Sequence, residues 1–338
     1  MISISVVMTT YNGEKYIVEQ LDSIRNQSRV PDEVIIYDDC SSDLTVSLIE
    51  KYIDDYELTN WTLHCNERNL GWRKNFVEAM EASTGDLIFL SDQDDIWNRD
   101  KIEDMAFYLE KDKKILLLAS NCEVFYTLND KKVKYPPFYS IKGKAFYLDK
   151  IWANKGIVSI INRVMKDKKI NSGRLKKVSF DSGLFSGQRQ GCVMVFRRSI
   201  LEGARKYWNE DCPHDTLLWF YAAVHGGLYL LEKNTIMYRH HGSNTGFNDT
   251  LGSGLTADTE RKKIKSQIDQ IEVLSSMLND TESGSDMAKV LYNIKDYLKL
   301  RDRFLKEKKI KDGIQVIRKK GNVGSRQVLF DWLLTYLT

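Results

Sequence analysis

The stretch that decides the fold is Leu87-Ile88-Phe89-Leu90-Ser91-Asp92-Gln93-Asp94-Asp95, in which an apolar run ends in three carboxylates within four positions. A short apolar run of this kind is typical of a buried strand, which would present the acids at the edge of its sheet. Carboxylates this close repel one another unless a cation or a hydrogen-bonded ligand offsets the repulsion, and oxygen ligands favour a hard ion such as Mg²⁺ or Mn²⁺. The alternative is a solvated acidic turn that caps a helix over residues 96–109.

Strand and helix patterns alternate before this motif. Residues 2–8 and 33–37 are β-rich runs, each followed by a helical pattern, over 15–26 and 44–56, and residues 61–64 form a third such run. Alternating units of this length indicate a mostly parallel sheet covered by helices. Ligands of such sheets bind outside the carboxyl ends of the strands, so we expect the polar residues after each strand to converge on one crevice.

The crevice has the residues of a nucleotide site but lacks two common nucleotide motifs. Asp39 follows the second strand and is expected to hydrogen-bond a base or ribose, while Asp92 and Asp94 are expected to reach ribose and metal. Asp38 and Asp39 are also acceptable caps for the helix that follows. The G-x-G-x-x-G and G-x-x-x-x-G-K-[ST] patterns are both missing, which disfavours a nicotinamide enzyme and a P-loop enzyme.

These segments resemble the nucleotide-sugar domain of a family 2 glycosyltransferase with the GT-A fold, over residues 2–110. The resemblance rests on four segments, which are Val7-Met8-Thr9-Thr10-Tyr11-Asn12, Asp38-Asp39-Cys40-Ser41-Ser42-Asp43, Asn69-Leu70-Gly71 with Asn75, and Asp92-Gln93-Asp94-Asp95. The form Ser-Asp-Gln-Asp-Asp-Ile-Trp at residues 91–97 is similar to that of bacterial rhamnosyltransferases that build cell-surface polysaccharides.

The resemblance implies roles for residues of the donor site. Asp39 would contact the base, Asp92 the ribose side, and Asp94 a metal that bridges the two phosphates. The cationic turn after a predicted strand over 235–238 would add a phosphate contact from Arg239 or His240 and a metal ligand from His241. The full implied donor set is Thr9, Tyr11, Asn12, Asp39, Asn69, Asp92 and Arg239, with Asp94 and His241 on the metal.

A second cluster lies further along the chain. Gln190 and Gly191 precede an apolar strand, and His214 and Asp215 begin an apolar helix. Inverting sugar transfer needs a base that removes the proton of the acceptor hydroxyl. By resemblance Asp215 is that base, and Gln190, Gly191 and His214 contact the acceptor. The family has an acid where His214 stands, and Asp215 could also be only a helix cap.

Composition agrees with an enzyme of this kind. Hydrophobic residues make up 42% and charged residues 29% of the 338 residues, as in soluble globular proteins. The five cysteines contain no C-x-x-C pair, which favours reduced thiols and a cytoplasmic setting. No leader pattern precedes the first strand, and no apolar stretch approaches the roughly 20 residues that cross a bilayer. The sequence therefore predicts a protein that is neither exported by that route nor membrane-spanning.

The chain changes character near residue 258. We predict a catalytic domain over 1–257, divided into a nucleotide-sugar half (1–110) and an acceptor half (111–257), and a helical region over 258–338. Residues 299–326 contain eleven Lys or Arg against three Asp or Glu. Basic helices suit peripheral contact with the anionic inner leaflet of the membrane, whereas packing of a homodimer explains them equally well. Nucleic-acid binding is not expected, because no recognised module accompanies the basic stretch.

Taken together, the sequence predicts an inverting, Mg²⁺- or Mn²⁺-dependent glycosyltransferase with a nucleotide-sugar donor and a glycan or lipid-linked glycan acceptor. The favoured donor is dTDP-L-rhamnose, and a UDP-hexose is the alternative. A nucleotidyltransferase would have no need of Asp215, and a non-catalytic glycan-binding scaffold would have lost one of the acidic clusters, all of which are present.

Overall fold

A computed structural model describes most of the chain. The described residues are 2–128, 131–133, 139–141, 144–146, 172–181, 184, 188–210, 212–241, 256–280, 284–319, 328, 331–332 and 334–336. The sequence also predicts a helix or two over 148–165 and a loop that contains Pro136 and Pro137, and these residues lie outside the described ones.

The first part of the chain alternates between strand and helix, as the sequence predicts. Each helix buries one stripe against the sheet; in the first, Ile17, Leu21 and Ile24 recur at helical spacing and are all buried. The elements are β1 (Ile4–Thr10), α1 (Ile17–Arg25), β2 (Glu33–Asp38), α2 (Thr45–Asp55), β3 (Trp61–Cys65), α3 (Trp72–Ala82), β4 (Leu87–Ser91), β5 (Ile96–Trp97) and α4 (Lys101–Lys111).

The later elements complete the sheet and add helices. They are β6 (Leu117–Leu128), β7 (Lys131–Val133), β8 (Tyr139–Ile141), β9 (Lys144–Phe146), β10 (Leu175–Lys177), β11 (Met194–Arg197), α5 (Arg198–Ala204), α6 (His214–Val224), β12 (Leu228–His240), α7 (Ala257–Leu278), α8 (Gly284–Glu307) and α9 (Ile310–Arg318). Short 3₁₀ turns cover Gly191–Val193 and Arg205–Tyr207.

The main sheet has the strand order β10-β12-β6-β11-β4-β1-β2-β3. The strands β3, β2, β1 and β4 are parallel, and β1 lies between β2 and β4. β11 is antiparallel to both β4 and β6. The parallel strands therefore end together, and the polar residues after β1, β2 and β4 meet at one edge of the sheet.

Three predicted elements differ in the structure. The helix predicted over 96–109 begins only at Lys101, because Ile96 and Trp97 form β5 and pair with Met237 and Ile236 of β12. The sequence also predicts two strands over residues 115–126 and two over residues 227–238, and in the structure each pair is one continuous strand, β6 and β12. Arg239 consequently belongs to a strand end and not to a turn.

The chain forms two compact units. The first comprises the described residues of 1–124, 171–179 and 188–239, and the second those of 125–170, 180–187 and 240–338. The domain boundary predicted at 257/258 differs from this division and stays a prediction. α7 begins at Ala257, close to the predicted start of the helical region.

The second unit contains α7, α8 and α9. Arg301 of α8 is almost fully buried and bonds Asp331 through two nitrogens, at 2.7 and 2.9 Å, and Glu260 of α7 at 2.9 Å. A buried guanidinium needs such partners to offset its desolvation, so this network ties the helices together. None of the helices in the described ranges is long and apolar enough to cross a membrane.

Candidate active site

The loop after β2 is built around two buried aspartates. Asp38 accepts hydrogen bonds from Thr10 Oγ1 (2.7 Å) and from the backbone and hydroxyl of Ser41 (2.7 and 2.6 Å). Asp39 accepts bonds from Asn66 Nδ2 (3.0 Å) and from the backbone of Leu70 (2.7 Å) and Gly71 (2.9 Å). Asp38 thus joins the ends of β1 and β2, and Asp39 holds the segment before α3.

Gln93 connects the loop after β1 to the acidic motif after β4. Its side-chain oxygen accepts from the backbone N–H of Tyr11 at 2.8 Å, and its amide nitrogen donates to the carbonyl of Tyr11 at 3.0 Å. A Cβ at Gly13 would lie 2.3 Å from the Gln93 side-chain oxygen, so a larger residue there would displace the Gln93 side chain. The neighbouring Asn12 has a φ of 48° and accepts from the backbone of Ser42 at 2.9 Å. The backbone of the loop that follows β1 is therefore held in one conformation.

The three carboxylates of the acidic motif lie at the edge of the sheet in a largely dry environment. Asp95 is fully buried and Asp94 is 9% exposed. Burial, and then the charge of Asp94, raise the pKa of Asp92 to about 7. Burial also raises the pKa of Asp95 well above its usual range, and the charges of Asp92 and Asp94 add to the shift. Mutual repulsion of this kind is relieved when a cation binds.

A buried lysine lies below these acids. Lys101 is fully buried; its ammonium donates to the carbonyl of Cys192 at 2.6 Å and lies 3.5 Å from the ring centre of Trp97. Burial lowers the pKa of Lys101 to about 7, and the charges of Asp95 and Asp92 oppose that shift. Lys101 thus lies within the electrostatic reach of the acidic motif.

Some of the potential ligand atoms in the motif suit a divalent cation, and others do not. Ligand atoms of Asp92, Asp95 and Cys192 lie within 4.8 Å of one another, and Asp95 Oδ2 is buried with no hydrogen-bond partner among the described residues. Carboxylate oxygens suit Mg²⁺ or Mn²⁺, whereas a thiolate suits softer ions. Asp94, the predicted metal ligand, lies in the same motif, while the other predicted ligand, His241, belongs to the second unit.

Arg239, near the end of β12, contacts both the acidic motif and α1. Its backbone N–H donates to Asp95 Oδ1 at 3.0 Å and its Nε to the carbonyl of Asp94 at 2.7 Å. The guanidinium also pairs with Glu19 and lies 4.5 Å from the ring centre of Tyr16. These contacts shape the motif, and the predicted contact between Arg239 and a phosphate stays a prediction.

Asp215 lies in the first turn of α6, as predicted, and faces the 3₁₀ turn that precedes β11. The backbone N–H of Gly191 donates to Asp215 Oδ2 at 3.2 Å, and the N–H of Thr216 donates to Oδ1 at 2.7 Å. The charge of Asp215 contributes to the raised pKa of Asp92, so the two carboxylates lie within electrostatic range. The structure therefore brings the predicted base to the acidic motif.

His214 is a buried, neutral ring. It is 3% exposed, stacks on Phe76 at 4.1 Å between ring centres, and meets Trp72 edge-on at 5.8 Å. Burial lowers its pKa to about 4. Neither ring nitrogen has a hydrogen-bond partner among the described residues, and Nε2 would lie 3.2 Å from a Cβ at Gly191. The ring lies close to Gly191, and the predicted contact of His214 with the acceptor stays a prediction.

The remaining predicted residues lie in the loops around the crevice. Tyr11 and Asn12 are exposed after β1, Thr9 is half-buried near its end, Asn69 is exposed before α3, and Gln190 is exposed before the 3₁₀ turn. Sequence reasoning did not assign roles to Gln93, Lys101 or Cys192. The signal available was the position of Gln93 inside the acidic motif; nothing in the sequence predicts that Lys101 is buried against Cys192, 91 residues away.

Comparison with known proteins identifies the family. A model of glycosyl transferase family 2 matches residues 5–190, which is more than half of the chain. The chain therefore belongs to glycosyl transferase family 2, and it is an enzyme of the GT-A fold with additional C-terminal helices.

Individual relatives agree with this assignment. The chain is 28% identical over 248 residues to the dTDP-rhamnosyl transferase RfbG of Shigella flexneri, covering 70% of this chain and 72% of that protein. It is 33% identical over 120 residues to the poly(ribitol-phosphate) beta-N-acetylglucosaminyltransferase TarS of Staphylococcus aureus, covering 35% of this chain but only 21% of TarS.

Solved structures share the fold at low identity. TarS 1-349 of S. aureus in complex with UDP-GlcNAc superimposes with a TM-score of 0.58 at 16% identity, over 98% of this chain and 79% of that one. The mannosyltransferase PcManGT of Pyrobaculum calidifontis, solved with GDP-Man and Mn²⁺, gives 0.54 at 15% identity, over 97% and 77%.

Proposed function

We propose that this family 2 enzyme is an inverting rhamnosyltransferase that transfers L-rhamnose from dTDP-L-rhamnose to a glycan or lipid-linked glycan in the synthesis of a cell-surface polysaccharide. The observation that carries the catalytic part is the position of Asp215, held by the N–H of Gly191 at 3.2 Å and within electrostatic range of Asp92. The likeness to RfbG, a dTDP-rhamnosyl transferase, favours the sugar. The reaction takes place on the cytoplasmic side, where nucleotide sugars are the donors.

The chemistry assigned to Asp215 is proton removal. Its carboxylate takes the proton of the acceptor hydroxyl as the acceptor oxygen forms a bond to the anomeric carbon. The bond between that carbon and the diphosphate oxygen breaks, and the nucleoside diphosphate leaves with the electron pair. One backbone N–H bonds each carboxylate oxygen, from Gly191 and Thr216, and so orients Asp215 toward the crevice.

The acidic motif is assigned to the donor. Asp94, with Asp92 and Asp95 beside it, would hold Mg²⁺ or Mn²⁺, and His241 is the further ligand we propose. These residues would thereby supply a divalent ion that could offset the charge of a departing diphosphate. Asp39, Thr9, Tyr11, Asn12 and Asn69 would surround the base and ribose, at the loops after β1 and β2 and before α3. Gln190, Gly191 and His214 would contact the acceptor beside Asp215.

A UDP-hexose donor is the second candidate. TarS, whose fold this chain shares, was solved with UDP-GlcNAc, and the residues proposed around the base do not distinguish thymine from uracil. A non-catalytic glycan-binding scaffold is the third candidate. It is disfavoured because the acidic motif and Asp215 are both present and within electrostatic range of each other.

The test is nucleoside diphosphate release by the purified protein from a panel of dTDP-, UDP- and GDP-sugars, with Mg²⁺ or Mn²⁺ and then with a chelator. We expect slow hydrolysis of dTDP-L-rhamnose that stops on chelation. Hydrolysis of a UDP-hexose alone would show that the donor is a UDP-sugar and that the protein is still a glycosyltransferase. Release that continues under chelation would contradict the proposed requirement for a metal. No release and no binding with any donor would favour the non-catalytic scaffold.

Two variants separate the roles of the acids. Asp215→Asn should bind the donor within about twofold of the unmodified protein and lose transfer by at least about 100-fold. Asp258→Asn, an exposed acid in the first turn of α7, is the matched control and should transfer normally. Asp94→Ala should lose metal-dependent donor binding. If tight binding persists, the metal ligands would instead be Asp92, Asp95 and Cys192.

A further inference from the structure

The helix α9 exposes an apolar stripe formed by Ile310, Ile314 and Ile317. Their exposed fractions are 62%, 41% and 46%, and they recur at helical spacing on one face. Isoleucines that pack within their own unit would be covered, as Val316 of the same helix is. We call these three residues the α9 stripe.

A glycine holds this orientation of α9. Gly313 faces the interior of its unit, where an added Cβ would lie 2.5 Å from the ring of Trp332 and 2.7 Å from the ring of Phe304. Rotating the helix to bury the α9 stripe would bring larger side chains to this contact. Asp312, also on the buried face, pairs with Arg303 at 3.1 Å. The stripe therefore faces outward because the opposite face is packed.

Exposed cations border the α9 stripe. At 100° per residue, Lys311 and Arg318 lie about 90° around the helix from the stripe, and Lys306 and Lys308 precede it. All four are exposed, and none has an ion-pair partner within the described part of the chain. Residues 299–319 carry nine basic against three acidic side chains. Stripe and cations together form an amphipathic, positively charged surface.

An exposed tyrosine lies next to the start of α9. The hydroxyl of Tyr336 donates to the carbonyl of Lys308 at 3.2 Å, and its side chain is 47% exposed. Tyrosine, with an apolar ring and a polar end, favours the interface between lipid and water. It adds an exposed aromatic ring near the residues that precede the α9 stripe.

We propose that the α9 stripe, with Tyr336 and the flanking cations, docks on an anionic lipid bilayer. The isoleucines enter the boundary between headgroups and acyl chains, and Lys306, Lys308, Lys311 and Arg318 meet the anionic headgroups. This deepens the proposed function, because a lipid-linked acceptor would then be presented at the surface to which the enzyme is bound.

A second copy of the chain is a poorer occupant of this surface. A two-fold interface brings the same patch of both copies together, and here it would place cations against cations. A stable interface also buries about 800 Å² on each partner, much more than three isoleucines and one tyrosine supply. Anionic headgroups match both the charge and the small apolar area.

The test is sedimentation of the full-length protein with vesicles of phosphatidylcholine alone and of phosphatidylcholine with phosphatidylglycerol. We expect binding to the anionic vesicles only, weakened at least about fivefold between about 0.1 and 0.5 M salt. Ile314→Glu with Ile317→Glu should lower the vesicle affinity at least about tenfold. The matched control is Val30→Glu with Phe107→Glu, which adds the same charge at apolar residues that are 66% and 54% exposed, and should bind normally.

A second pair of variants separates the cations from the isoleucines. Lys311→Gln with Arg318→Gln should lower affinity for the anionic vesicles about 30-fold, corresponding to about 1 kcal/mol for each of the two charges near the surface. Lys113→Gln with Lys114→Gln, at exposed positions after α4, is the control. Circular dichroism melting should be unchanged in all four double variants, since every substituted side chain is exposed or partly so.

Three results would overturn the proposal. They are no binding to anionic vesicles at low salt, equal binding to both vesicle types, and loss of a dimer in light scattering by Ile314→Glu with Ile317→Glu without any lipid binding. The last would assign the stripe to a second copy. The vesicle assay needs neither donor nor acceptor. Donor hydrolysis without vesicle binding would therefore contradict this inference and leave the proposed function unaffected.

Discussion

At the residue scale, the site concentrates charge that is unfavourable for the fold. Asp95 is fully buried; its Oδ1 accepts from the N–H of Arg239, while its Oδ2 has no hydrogen-bond partner among the described residues. Lys101 is equally buried and bonds a carbonyl. Groups of this kind lower the free energy of unfolding unless a ligand binds them, and their retention is typical of a functional site.

Replacing Asp95 by Asn should stabilise the protein at alkaline pH. The pKa of Asp95 is raised in the folded state, so its protonated form is favoured by folding, and stability is lost as the pH rises through the raised pKa. At pH 8 we expect Asp95→Asn to increase the free energy of unfolding by about 1–3 kcal/mol in urea titrations without divalent ions. The gain should shrink toward pH 5. The exposed Asp54→Asn should give no such difference, and a destabilised Asp95→Asn would contradict this account.

His214 should make the fold sensitive to mild acid. Its folded-state pKa of about 4 lies below the usual 6.5, so the unfolded chain binds more protons between these values, and stability falls as the pH drops from 6.5 toward 4. The full effect is about 3 kcal/mol. His214→Phe, which keeps a ring against Phe76, should remove this component in urea titrations at pH 7 and 4.5. His225→Phe is the control, because His225 stacks on Tyr221 but is exposed.

At the element scale, the crevice depends on contacts between loops that follow different strands. Gln93 bonds both backbone groups of Tyr11, and Asp39 bonds the segment before α3. Each loop alone has few buried apolar contacts and would be mobile. The loops keep one conformation because side chains from neighbouring strand ends hold them.

Gln93→Ala should weaken donor binding without unfolding the protein. Its two bonds to Tyr11 fix the loop after β1, and their loss should raise the Kd of the donor about tenfold, measured by calorimetry. Gly13→Ala should have a similar effect, since its Cβ would displace Gln93. The double variant should be no weaker than either single one, because both remove the same contact. Additive losses would contradict the shared contact; Gln315→Ala, exposed on α9, is the control.

At the scale of the whole molecule, the first unit is assembled from separate stretches of the chain. β11 comes from residues beyond 190, yet it pairs with β4 in the middle of the sheet. The nucleotide-sugar half over 1–110 therefore contains only one of the two neighbours of β4, which is β1. We therefore expect that residues 1–110 are not stable without β11, while the predicted division of 1–257 into two halves stays a prediction.

Fragment 1–110 should not fold alone. Every residue of β4 is buried, and without β11 this apolar strand becomes an exposed edge, which promotes aggregation. We expect the fragment to be insoluble, or to show no cooperative melting by circular dichroism. Fragment 1–257, which keeps every strand of the sheet, should melt cooperatively. A soluble, cooperative 1–110 would show that β11 is dispensable.

The local features of the fold could be predicted from the sequence. The βα units over 4–82, the burial of β4 and the helix that begins near Asp215 follow from apolar periodicity, which depends on neighbours only a few residues away. The same holds for the acids at strand ends, because parallel strands must finish on one side. The prediction was wrong at residues 96–100, where pairing of Ile96 with Met237 outweighs a helical pattern.

What the sequence by itself determined is therefore the class of fold, the family and the set of polar residues at the crevice. Only the tertiary structure decided which of these residues touch. The bond between Arg239 and Asp95 spans 144 residues, that between Lys101 and Cys192 spans 91, and Asp215 meets Gly191 across 24. Burial and electrostatic coupling depend on such distant partners. A sequence pattern does not indicate which distant side chains are buried next to one another.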